Sequence, residues 1–374
     1  MGPVRHPRRA RSGLKKLLHK PYTLRTSYIE ANELLRRPYQ KLLVGLILAA
    51  ALLLPVLAST YFVHLLDLCL LSAIGALGLM LLTGYCGQIS LGHAAFLAVG
   101  AYTTVILNAH VGAPFLIVLP AAALFGGLLG FIVGLPSLRF RGVYLAISTL
   151  AMHYAIIFLA TKYQAQFGPS ATAGMTIPDP SFGPFVLSGD RPWYYFLLVL
   201  VSLTTLACLN VVRTRCGRAW MAIRDRDIAA QALGINLARY KLLAFVTSSI
   251  LASISGSLLA YFSNVVTVEK YTLDLAIIYL AMIIVGGMGS ILGALLGAFF
   301  ITLLPYGIDA LFGYLPRAWR FGSTLFGVQA GAVGLCIILF LLFEPKGLAE
   351  VWRRLETYFE RWPFRYRPLD TVRR

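Results

Sequence analysis

Apolar runs with few charges recur along this chain at close to the length a helix needs to cross a bilayer, roughly 20 residues at 1.5 Å of rise each. They fall at roughly 42–61, 66–84, 89–108, 114–135, 142–161, 193–212, 241–262, 274–288, 291–305 and 324–343. Inside a membrane no water is present to satisfy backbone N–H and C=O groups, so such runs are expected to bond internally as helices. With 58% hydrophobic and 13% charged residues and a mean hydropathy of +0.75, the composition leaves little room for a soluble fold. The expectation is an all-α polytopic membrane protein with about ten transmembrane helices in a Gly-rich bundle. Eight or nine follow if the Gly-rich segments at 84–100 and 286–297 only re-enter.

The net charge of +18 would suggest nucleic acid in a soluble domain, but here the basic residues follow a topological pattern. Residues 1–41 carry 11 Lys/Arg against 2 Glu, residues 213–241 carry 7 against 2 Asp, and residues 344–374 carry 8 against 5 acids. Arg139 and Arg141 mark a further short hinge. Placing all four on the cytoplasmic side puts both termini inside. The arm 1–41, the membrane domain 42–343 and the tail 344–374 then form three regions. The arm is expected to act as a topology determinant ahead of an uncleaved signal anchor, with membrane lipid rather than nucleic acid as its partner. The outer segments are then 162–191, Glu269-Lys270 and 305–323. Cys69, Cys86, Cys208, Cys216 and Cys336 stand singly, with neither metal-ligand spacing nor a disulfide framework.

Helices associate in lipid through close contact of small residues, and three stripes offer it: Gly126, Gly130 and Gly134; Ala252, Gly256 and Ala260; and Gly289, Gly293 and Gly297. Tyr61-Phe62, Trp193 to Tyr195 and Trp352 read as interfacial aromatics. The proline-bearing loop 163–192 is the natural docking surface for an extracytoplasmic partner.

Two stretches carry more than packing. In Thr83-Gly-Tyr-Cys-Gly-Gln-Ile-Ser-Leu-Gly-His-Ala-Ala-Phe-Leu-Ala-Val-Gly-Ala-Tyr102, four glycines lie among Gln88, Ser90 and His93. Broken backbone at membrane depth is tolerated where protein or a water path surrounds it, and it can offer N–H groups to a carboxylate. Gly84, Tyr85, Gly87, Gln88, Ser90, Gly92 and His93 are therefore the candidate substrate pathway. Each polar member also has a structural reading, His93 as a helix cap and Gln88 and Ser90 as interhelical bonds. The second stretch is the polar segment 213–239. Ala219, Ala222, Ile223, Ala230 and Leu233 fall on one helical face, with Arg226 breaking the stripe. Gly234 is expected to take a left-handed stop and Asn236 to cap the next helix.

The spacing Ala229-Ala230-x-x-x-Gly234 resembles the coupling loop of bacterial ABC importer permeases, with Ile228 where an acidic residue usually stands. The string from Gly217 to Leu242 is similar to the branch that imports branched-chain amino acids. The run 84–96 resembles that branch's G-Y-x-G-Q-x-S-L-G-H-x-A-F signature, and the segments 139–150, 284–297 and 342–347 extend the likeness to roughly residues 65–347. The turn Gly168-Pro-Ser-Ala-Thr-Ala-Gly-Met175 departs from the family's usual one. The resemblance implies a permease subunit of the inner membrane that imports leucine, isoleucine or valine. Its implied partners are a homologous second permease, two cytoplasmic ATP-binding subunits and an extracytoplasmic substrate-binding protein. Arg218, Arg224, Asp225, Arg226, Ala229, Ala230 and Gly234 would form the ATPase coupling loop.

No G-x-x-x-x-G-K-[ST] occurs in the sequence, so the chain is not expected to cradle ATP itself, to use a cofactor or to be an enzyme. Ion-coupled carriers place carboxylates inside their spans, whereas Asp67, Lys162, Asp274 and Asp309 are expected near span ends. That favours external power. The alternatives are a permease of the same branch for urea, short amides or other small organic solutes, and a channel or facilitator that needs no ATPase.

Overall fold

The computed structural model describes residues 38–136, 140, 142–168, 174–182, 185–313, 325–344 and 346–361. Most of the basic arm, the 169–173 turn, most of the 138–141 hinge, the 314–324 part of the outer loop and the end of the tail lie outside the described residues. The chain divides into a unit of residues 1–60 and one of residues 61–374. In the first, α1 (Pro38–Leu57) is apolar over Leu48–Leu57 and carries Pro55 within it.

The second unit is helical. Its helices are α2 (Thr60–Leu79, begun by the last residue of the first unit), α3 (His93–Val111), α4 (Phe115–Gly134), α5 (Val143–Phe167), α6 (Asp190–Arg213) and the short α7 (Arg215–Asp225) and α8 (Asp227–Ala232). They continue with α9 (Leu237–Ser263), α10 (Leu273–Gly286), α11 (Ile291–Gly313), α12 (Leu325–Phe343) and α13 (Gly347–Arg361). The only paired strands among the described residues are two-residue ones. β1 (Met175–Thr176) runs antiparallel to β4 (Val265–Val266), and β2 (Ser181–Phe182) pairs with β3 (Phe185–Val186).

Seven helices among the described residues are long and apolar enough to span, or eight if the bent pair α12 and α13 is one. The expected ten is not reached among the described residues, and α10 shows one local reason. At 14 residues α10 covers only about 21 Å, short of the roughly 30 Å apolar core. It ends at the break 287–290, where Gly287 (φ 112°) and Gly289 (φ 86°) take backbone conformations that side-chain-bearing residues rarely adopt. The expected run 66–84 is longer instead: α2 begins at Thr60 and continues through Tyr85.

The core is α9 wedged between α3 and α4, and its contacts explain the small-residue stripes. Cβ atoms added at Gly126 and Gly130 would collide with the side chains of Ser253 and Ser249, and one at Gly134 would lie 2.7 Å from Leu242 Cδ1. Gly100 meets the Ser253 carbonyl and Gly256 the Leu97 carbonyl in the same backbone-to-backbone way. Ser253 Oγ donates to Phe96 O at 2.9 Å, and the Thr104 and Ser257 hydroxyls lie 2.6 Å apart. Of the third stripe, Gly293 and Gly297 pack on the Gly286 and Met282 carbonyls, while Gly289 falls in the break rather than on a helix. Of the expected interfacial aromatics, Trp193 and Tyr194 are buried among neighbouring helices.

Helix direction sorts the connections onto two ends. At one, Ile177 N donates to Asn264 O at 2.9 Å, Asn264 Nδ2 to Asp179 Oδ1 at 2.8 Å, and Val268 N to Gln164 Oε1 at 3.1 Å. Exposed Lys270 donates from Nζ to Val265 O at 3.1 Å, and partial desolvation lowers its pKa. At the other end lie the 86–92 break, α7 and α8, the 287–290 break and α13.

Candidate functional site

The segment expected to meet substrate and the segment expected to meet an ATPase touch each other. After Leu79 the helix widens into a π-helical turn, Met80–Tyr85, in which Cys86 N donates to Leu81 O at 3.2 Å. Such turns carry an extra residue and recur at functional positions. Gln88 N then reaches back to Leu82 O at 3.1 Å, and Thr83 Oγ1 donates to Gln88 O at 3.0 Å. Gly87 turns the chain at φ 71°. The break ends on α5, where Leu91 N donates to Thr149 Oγ1 at 3.1 Å and a Cβ at Gly92 would lie 2.7 Å from Thr149 O.

Against this turn lies α7. Arg224 Nη1 donates to Gly84 O at 2.8 Å. A Cβ at Gly87 would sit 2.9 Å from Arg224 Cγ, and one at Gly289 2.5 Å from Arg224 Nη1. Gly84 in turn abuts Gly289, where an added Cβ would lie 2.9 Å from the Gly289 nitrogen. Gly287 N and Cα stand 2.5 and 2.6 Å from where a Cβ on Gly347 would be, so α13 is seated on the same break. Three glycine breaks and one guanidinium thus share a joint.

Several anchors fix α7. Trp220, fully buried, donates from Nε1 to Tyr240 O at 2.8 Å, and Gly217 packs on the Val212 backbone. The helix stops at Arg226, whose extended backbone (φ −157°) starts α8. Gly234 (φ 84°) then supplies the expected left-handed stop, and Asn236 Oδ1 accepts from Arg239 N at 3.1 Å as the expected cap.

The single outward stripe is corrected by this geometry. The helix breaks at Arg226, and Ala219, Ile223 and Ala230 are buried in the chain itself. Ile228 (73% exposed) and Leu233 (82% exposed) are what α8 presents. Beside them Gln231, Gly234, Ile235, Asn236, Leu237, Ala238 and Lys241 line a groove of about 490 Å³. Arg218, Asp225, Arg226 and Ala229 are exposed, and Arg218 Nη1 donates to Arg213 O at 3.0 Å.

The substrate-pathway residues divide. His93 Nε2 lies 3.0 Å from Gly75 O and its ring meets Tyr279 edge-on at 5.2 Å. Ser90 Oγ accepts from Gly92 N at 3.3 Å. Gly84 and Tyr85 belong to the turn. Gln88 alone of the set is buried with neither amide atom hydrogen-bonded. Among the described residues no group of three His, Cys, Asp or Glu is placed to hold a metal. Trp220, Thr149 and Gly347 are not singled out as site residues by the sequence, and Gly289 reads there only as a member of a packing stripe. A tryptophan inside a run as polar as 213–226 was the one available signal.

A helical bundle with glycine-broken spans and a polar helical hairpin at one end defines a multi-pass membrane permease. Residues 61–342 match the family described as "Branched-chain amino acid transport system / permease component", and the chain belongs to that family. It is 33% identical over 338 residues to the high-affinity branched-chain amino acid transport system permease protein LivM of Escherichia coli K12, covering 84% of this chain and 76% of that one. The LivM of Salmonella typhimurium LT2 is 32% identical over the same shares. A probable branched-chain amino acid transport permease protein LivH of Methanocaldococcus jannaschii is 27% identical over 70% of this chain and 83% of its own. No solved structure matches.

Proposed function

We propose that this chain is the transmembrane permease subunit of an ATP-driven importer that carries leucine, isoleucine or valine into the cytoplasm across a bacterial inner membrane. The observation that carries the coupling half is the bond from Arg224 to Gly84 O, which ties the exposed helical hairpin to a break within a span. A cytoplasmic ATP-binding subunit docks on α7 and α8, with Ile228 and Leu233 entering its surface and the groove beside Gly234 receiving a side chain in return. Helix-into-groove fit supplies most of the docking, since exposed ion pairs such as those of Arg218 and Arg226 contribute little. Movement of α7 then shifts the π-turn and the 287–290 break together, switching the bundle between its two open states. Both termini are cytoplasmic, and the end built from 174–180 and 264–270 receives the substrate-binding protein. A homologous permease and a second ATP-binding subunit complete the complex, and ATP is bound by those subunits and not by this chain.

The substrate half is supported by the names of the relatives. Reconstitution with the second permease, the ATP-binding subunits and the binding protein tests both halves. ATP-dependent uptake of labelled leucine, isoleucine or valine is expected. Equal flux through this chain without ATP-binding subunits would replace the reading by a facilitator, and ATP-driven uptake of urea or short amides alone would replace the substrate.

A further inference from the structure

A carboxylate that the sequence places near a span end lies inside the span. Asp67 is seven residues past Thr60, about 10 Å of helix rise, and is 0% exposed. Neither Oδ1 nor Oδ2 has a hydrogen-bond partner among the described residues. Among the described residues no lysine, arginine or histidine forms an ion pair with it. The charged neighbour is of the same sign: Asp190, the first residue of α6, lying 3.2 Å from His64 Nδ1 at the partly exposed rim of this end. Tyr194 on α6 and Cys69 on α2 are the other titratable groups within electrostatic reach.

An ionised carboxylate enclosed in this way has no compensation for its lost hydration, a penalty far larger than any single hydrogen bond returns. The neutral acid avoids most of it. We propose that Asp67 is a proton-binding site: it is held as the carboxylic acid in the conformation described and gives its proton to water when the end of the bundle around His64 and Asp190 opens. The proton enters and leaves at the same end, so none crosses the membrane and the site supplies no driving force. It acts instead as a latch. The closed packing binds a proton that the opened, hydrated site releases, so acid favours closure and alkali favours opening. His64, three residues before Asp67 and 46% exposed on its side chain, marks the route to water.

The protonation half can be tested without transport, on the full chain in lipid vesicles, and so stands or fails separately from the importer reading. Infrared spectra of wild type and Asp67→Asn are compared at about pH 8, far above the ordinary carboxyl range near 4. Wild type is expected to show the C=O stretch of a protonated carboxylic acid that the Asn variant lacks. Carboxylate bands in that difference, with no acid band, would overturn the proposal. Should the Asn variant fail to fold, Asp67→Glu keeps the test, since the acid band is then expected to shift rather than vanish. The release half is read in the assembled complex as the pH profile of substrate-driven ATP hydrolysis. Wild type is expected to rise with pH and Asp67→Asn to lose that dependence; identical profiles would sink it.

Discussion

Arg224→Met removes the one charged donor that joins the polar hairpin to the membrane-embedded turn, while keeping hydrocarbon beside Gly87 and Gly289. A hydrogen bond from an ionised group contributes roughly 1.5–3 kcal/mol. The Arg224 side chain is 38% exposed, so water compensates part of the loss, leaving about 1–2 kcal/mol. At 1.4 kcal/mol per decade this is roughly a fivefold to thirtyfold shift between the joined and parted states of α7 and Gly84. The variant is expected to reach the membrane, to assemble with its ATP-binding subunits, and to hydrolyse ATP while moving about tenfold less amino acid per ATP. Arg224→Lys should fall between, because an ammonium is a single flexible point charge rather than a planar fork. The assay is the ratio of labelled uptake to phosphate release in proteoliposomes. Arg218→Met, which alters an exposed side chain of the same helix that donates locally to Arg213 O, is the control. A normal ratio in Arg224→Met would refute the reasoning, since no other described bond joins Gly84 to α7.

Other substitutions probe other parts of the argument. Gly234→Leu has open space around it, so its cost is the left-handed backbone alone, about 1–2 kcal/mol; membrane insertion should survive while uptake uncouples from hydrolysis, checked by the same ratio. Gly100→Val drives a side chain into the Ser253 carbonyl and should lower unfolding stability in detergent by about 3 kcal/mol or more, whereas Gly331→Ala, with nothing nearby, should be neutral or slightly stabilising. Gln88→Leu removes a buried amide that no described residue satisfies, so stability should hold or rise while uptake falls if the amide meets the solute. Glu350, 2.6 Å from Arg353, is held below the ordinary glutamate range by that bond, so the contact should persist at neutral pH and be lost only as acid protonates the carboxyl, measured by helix content of the tail against pH.

Sequence was most informative where one residue's own chemistry decides the outcome. Gly234 and Asn236 end one helix and cap the next because few residues take a left-handed stop or accept from a third N–H. Gly126, Gly130 and Gly134 face a neighbour because spacing by four keeps one face bare. What depends on long-range placement was not legible. Asp67 reads as terminal only if the helix starts where hydrophobicity does, and α2 starts at Thr60. The stripe from Ala219 to Leu233 reads as one surface only if Arg226 stays helical. The contact between Arg224 and Gly84 joins residues 140 positions apart, and neither motif names the other.

Where α3 meets α9 a carbonyl lies against bare Cα, and where α4 meets α9 the short side chains of Ser249 and Ser253 fill the bare faces of Gly130 and Gly126, which leaves little slack to absorb displacement. Close-packed surfaces of that kind do not slide by fractions of an ångström. These three helices are therefore expected to travel as a single rigid keel, with the hinging of the transport cycle at the wider turn at Met80–Tyr85 and the kink after Gly286. Crosslinks across the keel should leave turnover intact, and a crosslink across either hinge should stop it.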